Sequence, residues 1–103
     1  MKEKKYKIKL LDTFRYELFR IYEYIYYDLC NPIAANSFII NVNNAIIKRN
    51  YFPKSFQKFK SKNLYEWYRI YIGNFTIFYV VENNEMIIAH IIYSARNLDN
   101  LNL

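Results

Sequence analysis

The hydrophobic pattern of this chain switches from a period of two to a helical period and back again. Tyr6-Lys-Ile-Lys-Leu10 alternates apolar and charged positions, the pattern of a half-buried strand. Phe14, Leu18, Ile21, Ile25 and Leu29 then recur at helical spacing, flanked by Tyr22 and Tyr26, while Arg15, Glu17, Arg20 and Glu23 fall off the stripe. The spacing predicts an amphipathic helix ending near Asp28, with Asp12 or Thr13 as its cap. Asn31-Pro32 opens a second helix, because a side-chain oxygen can cap it and proline costs no hydrogen bond in the first turn. Ala35, Phe38, Ile39, Val42, Ala45 and Ile46 continue that helix to about Arg49, where Asn50-Tyr-Phe-Pro53 stops it. So short a link between two helices implies an antiparallel hairpin.

Three runs rich in aromatic and β-branched residues follow. Leu64–Ile72 and Phe75–Val81 are split by Gly73-Asn74, and Met86–Tyr93 comes after Glu82-Asn83-Asn84-Glu85. Such runs separated by two-residue turns predict a three-stranded meander. The only glycine of the chain sits at the first turn, where the backbone needs a positive φ. Lys54 to Lys62 reads as a basic loop with Phe56 and Phe59 embedded in it. Both helical stripes need cover, and the sheet alone offers it. The predicted fold class is therefore α+β: an N-terminal strand, then a helical hairpin packed on a small antiparallel sheet ending in the meander.

Composition narrows the function classes. At 103 residues, residues 1–103 make one domain. With 53% hydrophobic residues the chain can bury a core, and its longest apolar runs are too short for a membrane span. Met1-Lys-Glu-Lys-Lys5 does not resemble a secretion signal, so a cytoplasmic protein is expected. Cys30 is the only cysteine, so it cannot form an internal disulfide; a small hydrophobic role in or near the core is expected of it, and neither metal nor cofactor is. A net charge of +6 points to an anionic partner, nucleic acid or an acidic protein. Abundant Tyr, Asn, Ile and Lys beside scarce Gly and Pro is the bias of an AT-rich coding sequence. The 12 tyrosines are therefore not read as a base-stacking surface.

The order strand, helical hairpin, Phe-Pro loop and meander resembles the RelE/ParE family of bacterial toxins. Leu18-Phe-Arg-Ile-Tyr-Glu-Tyr-Ile25 is similar to the family's first-helix pattern, and Asn31-Pro-Ile-Ala-Ala35 to the opening of its second. Phe52-Pro53 matches the pair that closes that helix. Arg69 followed by Gly73-Asn-Phe-Thr-Ile-Phe-Tyr79 is similar to its hairpin, and Ile91-Ile-Tyr-Ser-Ala-Arg-Asn97 to its closing strand. The resemblance covers nearly the whole chain. It implies a cognate antitoxin whose acidic, partly disordered segment wraps the basic toxin.

The resemblance leaves two chemistries open. One is non-enzymatic inhibition of DNA gyrase, bound through the helical hairpin and the C-terminal segment. The other is ribosome-dependent cleavage of mRNA, which needs a base for the 2′-hydroxyl, an acid for the leaving oxygen and cations on the phosphate. The nuclease branch carries an arginine where this chain has Thr76, and some members place a histidine near the position of Ser94. Threonine carries no charge and cannot fork onto a phosphate. Arg69 and Arg96 are then the retained cations and the catalytic candidates of a nuclease, with Glu66, His90 and Tyr93 as conceivable proton carriers. Lys58, Lys60 and Lys62, with Arg69 and Arg96, are the candidates for binding an anionic target. The balance favours the gyrase-inhibiting, ParE-like branch; a non-toxic member that serves as its antitoxin's DNA-binding partner is a third reading.

Overall fold

The computed structural model describes residues 5–60 and 66–94. Strand β1 (Lys7–Leu10) leads directly into helix α1 (Asp12–Glu23). Neither Asp12 nor Thr13 caps that helix. The capping position falls on Leu11, which offers no side-chain oxygen; Asp12 lies in the first turn, where its charge favours the helix dipole. A π-helical turn, Tyr24–Asp28, carries the helix on to its expected end. Its Leu29 N–H donates to the Tyr24 carbonyl, five residues back. The wider turn rotates the apolar stripe, and Leu29, placed on the core face by its spacing, turns out to solvent.

Cys30 also departs from expectation. It is exposed, at φ 52°, in the left-handed conformation that reverses the chain between the helices. Its Sγ donates to the Tyr27 carbonyl at 3.3 Å instead of packing in the core. Helix α2 (Pro32–Arg49) begins as its sequence predicts, with Asn31 Oδ1 accepting from the Ala34 N–H at 3.1 Å.

The basic segment before the meander is not wholly a loop. Phe59–Lys60 forms a two-residue strand, β2, antiparallel to β3 (Glu66–Ile72), with Phe59 opposite Trp67 and Lys60 opposite Glu66. Strands β4 (Phe75–Glu82) and β5 (Glu85–Tyr93) complete the meander. The first turn has a positive φ at Gly73; the second has positive φ at both Asn83 and Asn84, which asparagine tolerates better than most residues. The sheet order is β1-β5-β4-β3-β2, and β1 lies parallel to β5. The helical hairpin and strands β2 to β4 lie between them in the chain and supply the long connection that a parallel pair requires.

Strand β1 covers only Glu85–Ile88 of its neighbour. Beyond that point α1 takes over the edge with side chains. Thr13 Oγ1 donates to the Ala89 carbonyl at 2.7 Å, and the Glu17 carboxylate accepts from the Ile91 N–H at 3.2 Å. A β-bulge between Phe78 and Tyr79 leaves Ala89 as the extra residue on β5. At the other end Asn50, buried, clasps Tyr6, accepting from its N–H (3.2 Å) and donating to its carbonyl (2.9 Å).

Both helices pack on one face of the sheet. Phe14 of α1 and Val42 and Ile46 of α2 join Ile70, Ile77, Tyr79, Met86 and Ile88 in the main core. A smaller cluster of Trp67, Phe78, Ala89 and Ile92 lies on the opposite face. Alternation along β3 therefore turns Arg69 and Tyr71 to the same side as Trp67, the side away from the helices.

Candidate functional site

The side chains that the sequence singles out fall into three places. Arg69 stands mid-strand on the face opposite the helices, half-buried, with its guanidinium 5.7 Å from the Tyr71 ring centre. Strand register puts Arg69 opposite Phe78, and Phe78 opposite His90. Arg69 and His90 thus lie in one row across the sheet, two strands apart. His90 Nδ1 is 3.1 Å from Glu17 Oε1. A carboxylate only accepts, so that nitrogen donates, and the imidazole is held in one orientation against the Trp67 ring, 5.9 Å away.

Glu66 and Tyr93 do not join this row. Glu66 opens β3 and pairs with Lys58, Nζ to Oε2 3.2 Å, while Tyr93 ends β5 beside Phe75 at the other end of the sheet. Lys58 is thereby engaged in an exposed ion pair, which contributes little to stability. Lys60 projects from the edge strand β2 into solvent. Lys62 and Arg96 lie outside the described residues.

Thr76 and Ser94 meet. Their hydroxyl oxygens are 2.7 Å apart, with Thr76 buried under its neighbours. By the resemblance, the nuclease branch carries an arginine at the first of these positions, and some of its members a histidine near the second. A hydroxyl pair can exchange a hydrogen bond but supplies no charge to a phosphate.

A further feature lies outside the residues that the sequence singles out. Arg49, the last residue of α2, turns back over the sheet. Its Nη1 donates to the Arg69 carbonyl (2.8 Å) and to Tyr79 Oη (3.0 Å), and its guanidinium lies 3.5 Å from the centre of the Phe56 ring. Tyr79 Oη donates in turn to the Pro53 carbonyl at 2.7 Å. Burial pushes the Tyr79 phenol above its ordinary value of 10.0, against the opposing pull of the Arg49 guanidinium. This node fixes the Phe-Pro loop to the sheet. Beside it opens a groove of about 890 Å³, lined by Ala45, Lys48, Arg49, Phe52, Phe56 and Ile70 among others. Phe52 and Phe56 are half-exposed along it, so the groove is apolar with a basic rim. Arg49 and Phe56 are seven residues apart in sequence with a proline between them, and nothing in local spacing announces their contact.

Among the described residues no three His, Cys, Asp or Glu side chains gather in a way that would hold a metal ion, and no helix is long and apolar enough to cross a membrane. A family model described as the ParE toxin of the type II toxin-antitoxin system parDE matches residues 8–98. No curated protein matches the chain.

Proposed function

The chain belongs to the ParE toxin family of type II toxin-antitoxin systems, and from that premise we propose that it acts by binding, as an inhibitor of DNA gyrase, and not by cleaving RNA. The observation that carries this reading is the Thr76–Ser94 hydroxyl pair, because by resemblance the nuclease branch has an arginine at the first position and some members a histidine near the second. Glu66 and Tyr93, at opposite ends of the sheet, add to it, because a base and an acid must both reach one phosphodiester.

The family implies an antitoxin partner. The apolar groove beside Arg49, rimmed by Lys48, suits a segment that brings both acidic and apolar side chains. A net charge of +6 favours the same kind of partner.

One observation favours the second reading, message cleavage on the ribosome. His90 is oriented by Glu17 and shares a row with Arg69, a cation and an imidazole on the same face of the sheet. Two assays on the antitoxin-free protein separate the readings. Inhibition of gyrase supercoiling with intact ribosome-bound mRNA is the expected result. Discrete new 5′ ends at the ribosomal A site, lost on Arg69→Ala, would overturn it.

A further inference from the structure

Helix α2 has a second apolar stripe, on the side away from the core. Ile33, Ile40 and Ile47 recur every seven residues and are 81%, 58% and 54% exposed, while Ala35, Val42 and Ile46 of the same helix are buried. Seven residues are two turns, so the three side chains lie nearly in line, about 10.5 Å apart. Between them the surface is polar but uncharged: Asn36, Ser37, Asn43 and Asn44. No charged residue occurs between Asp28 and Lys48.

The stripe is close to symmetric about Ile40. Reversing the helix about that residue exchanges Ile33 with Ile47, Asn36 with Asn44 and Ser37 with Asn43, all on the exposed side. In a two-fold interface each patch meets its own reverse, so here isoleucine would meet isoleucine and amide would meet amide or hydroxyl. Neutrality points the same way. In a chain of net charge +6, a face without charge is where two copies meet with the fewest close like-charge contacts, and an acidic partner gains little electrostatically there. The outer face of α1 is aromatic but carries Arg20 and Glu23, so it lacks this property.

We propose that the stripe is a homodimer interface: two copies of α2 pack antiparallel with Ile40 on the two-fold axis and Ile33 of each copy against Ile47 of the other. The Asn and Ser side chains flank the isoleucine contacts and hydrogen-bond across the seam. This inference is independent of the toxin's target.

Sedimentation equilibrium of the full, antitoxin-free chain over a wide concentration range tests it. A monomer–dimer equilibrium is expected. Ile40→Glu sets two carboxylates on the axis and should weaken dimerisation at least about thirtyfold, as the loss of a central anchor does. Its exposed position leaves the circular dichroism unchanged. Ile33→Glu with Ile47→Lys in one chain should recover dimers, since each Glu then meets a Lys; Ile33→Glu with Ile47→Glu should not. In a Cys30→Ser background, Ile40→Cys should cross-link to itself on oxidation, whereas Ile33→Cys should cross-link only to Ile47→Cys. A wild-type chain that is monomeric at every concentration, or dimers indifferent to Ile40→Glu, would sink the proposal. A monomeric wild type whose antitoxin binding is lost on Ile40→Glu would also overturn it, assigning the stripe to a partner's helix.

Discussion

Tyr79 shows how one residue joins the distant parts of this fold. Its ring stacks on Tyr68 at 5.2 Å inside the main core, while its hydroxyl reaches the Phe-Pro loop and α2. Tyr79→Phe keeps the ring but leaves the Pro53 carbonyl without its donor, and should cost about 1–3 kcal/mol in urea denaturation near neutral pH. The pH dependence has a definite sign. Burial raises the folded-state pKa above that of the unfolded chain, so the folded protein holds the phenolic proton more tightly. The stabilisation from Tyr79 is therefore fully present below about pH 10 and is lost as pH rises through the folded value. The stability advantage of wild type over Tyr79→Phe should shrink in that alkaline range; an advantage that grew there would contradict the account. Tyr79 was legible in the sequence as a core strand residue. Its hydroxyl partners were not, because Arg49 and Pro53 are 30 and 26 residues away along the chain.

Among the elements, α1 does two things for one segment of sequence. Its apolar stripe covers the sheet, while Thr13, expected as a cap, and Glu17, expected on a solvated face, both reach the open edge of β5. A short β1 leaves backbone groups that would otherwise template another chain, and side chains close them off. Glu17→Ala should remove about 1–3 kcal/mol by freeing the Ile91 N–H and His90 together, with faster amide exchange at Ile91 by NMR. Glu17→Gln keeps an acceptor and should restore most of the protection at Ile91. If both variants exchange like wild type, Glu17 does not hold the edge. The bulge at Ala89 belongs with this arrangement, since the carbonyl that receives Thr13 is that of the extra residue. No alternation pattern marks the bulge in Met86–Tyr93, where every position but His90 is apolar or aromatic.

For the whole molecule the decisive property is how charge and apolar surface are distributed. Lys48 lines the groove with Arg49, next to exposed Phe52 and Phe56, whereas α2 carries no charge before these two residues. Lys48→Glu should weaken antitoxin binding about tenfold by reversing a rim charge, chiefly through a slower association rate with a smaller salt dependence, measured by surface plasmon resonance at two ionic strengths. It should leave the monomer–dimer equilibrium through Ile40 unchanged. An unaltered association rate would place the antitoxin elsewhere. Two surfaces with separate readouts thus follow from a single helix.

The elements and their order follow from local features of the chain. Period-two and helical spacing fix which side chains must be covered, Asn31-Pro32 and Phe52-Pro53 mark helix limits, and Gly73 and Asn83-Asn84 mark turns. These are local effects of sterics and hydrogen bonding, and they act over a few residues. Tertiary structure decided what depends on approach through space: the parallel seat of β1, the meeting of Thr76 with Ser94, the capture of His90 by Glu17, and the fold of Arg49 over Phe56. It also turned Leu29 outward at the end of a π-helical turn, and Cys30 outward at the left-handed reversal between the helices. Hydrophobic pattern is additive along a chain and can be read there; a polar contact exists only when two distant backbones bring its atoms within about 3 Å.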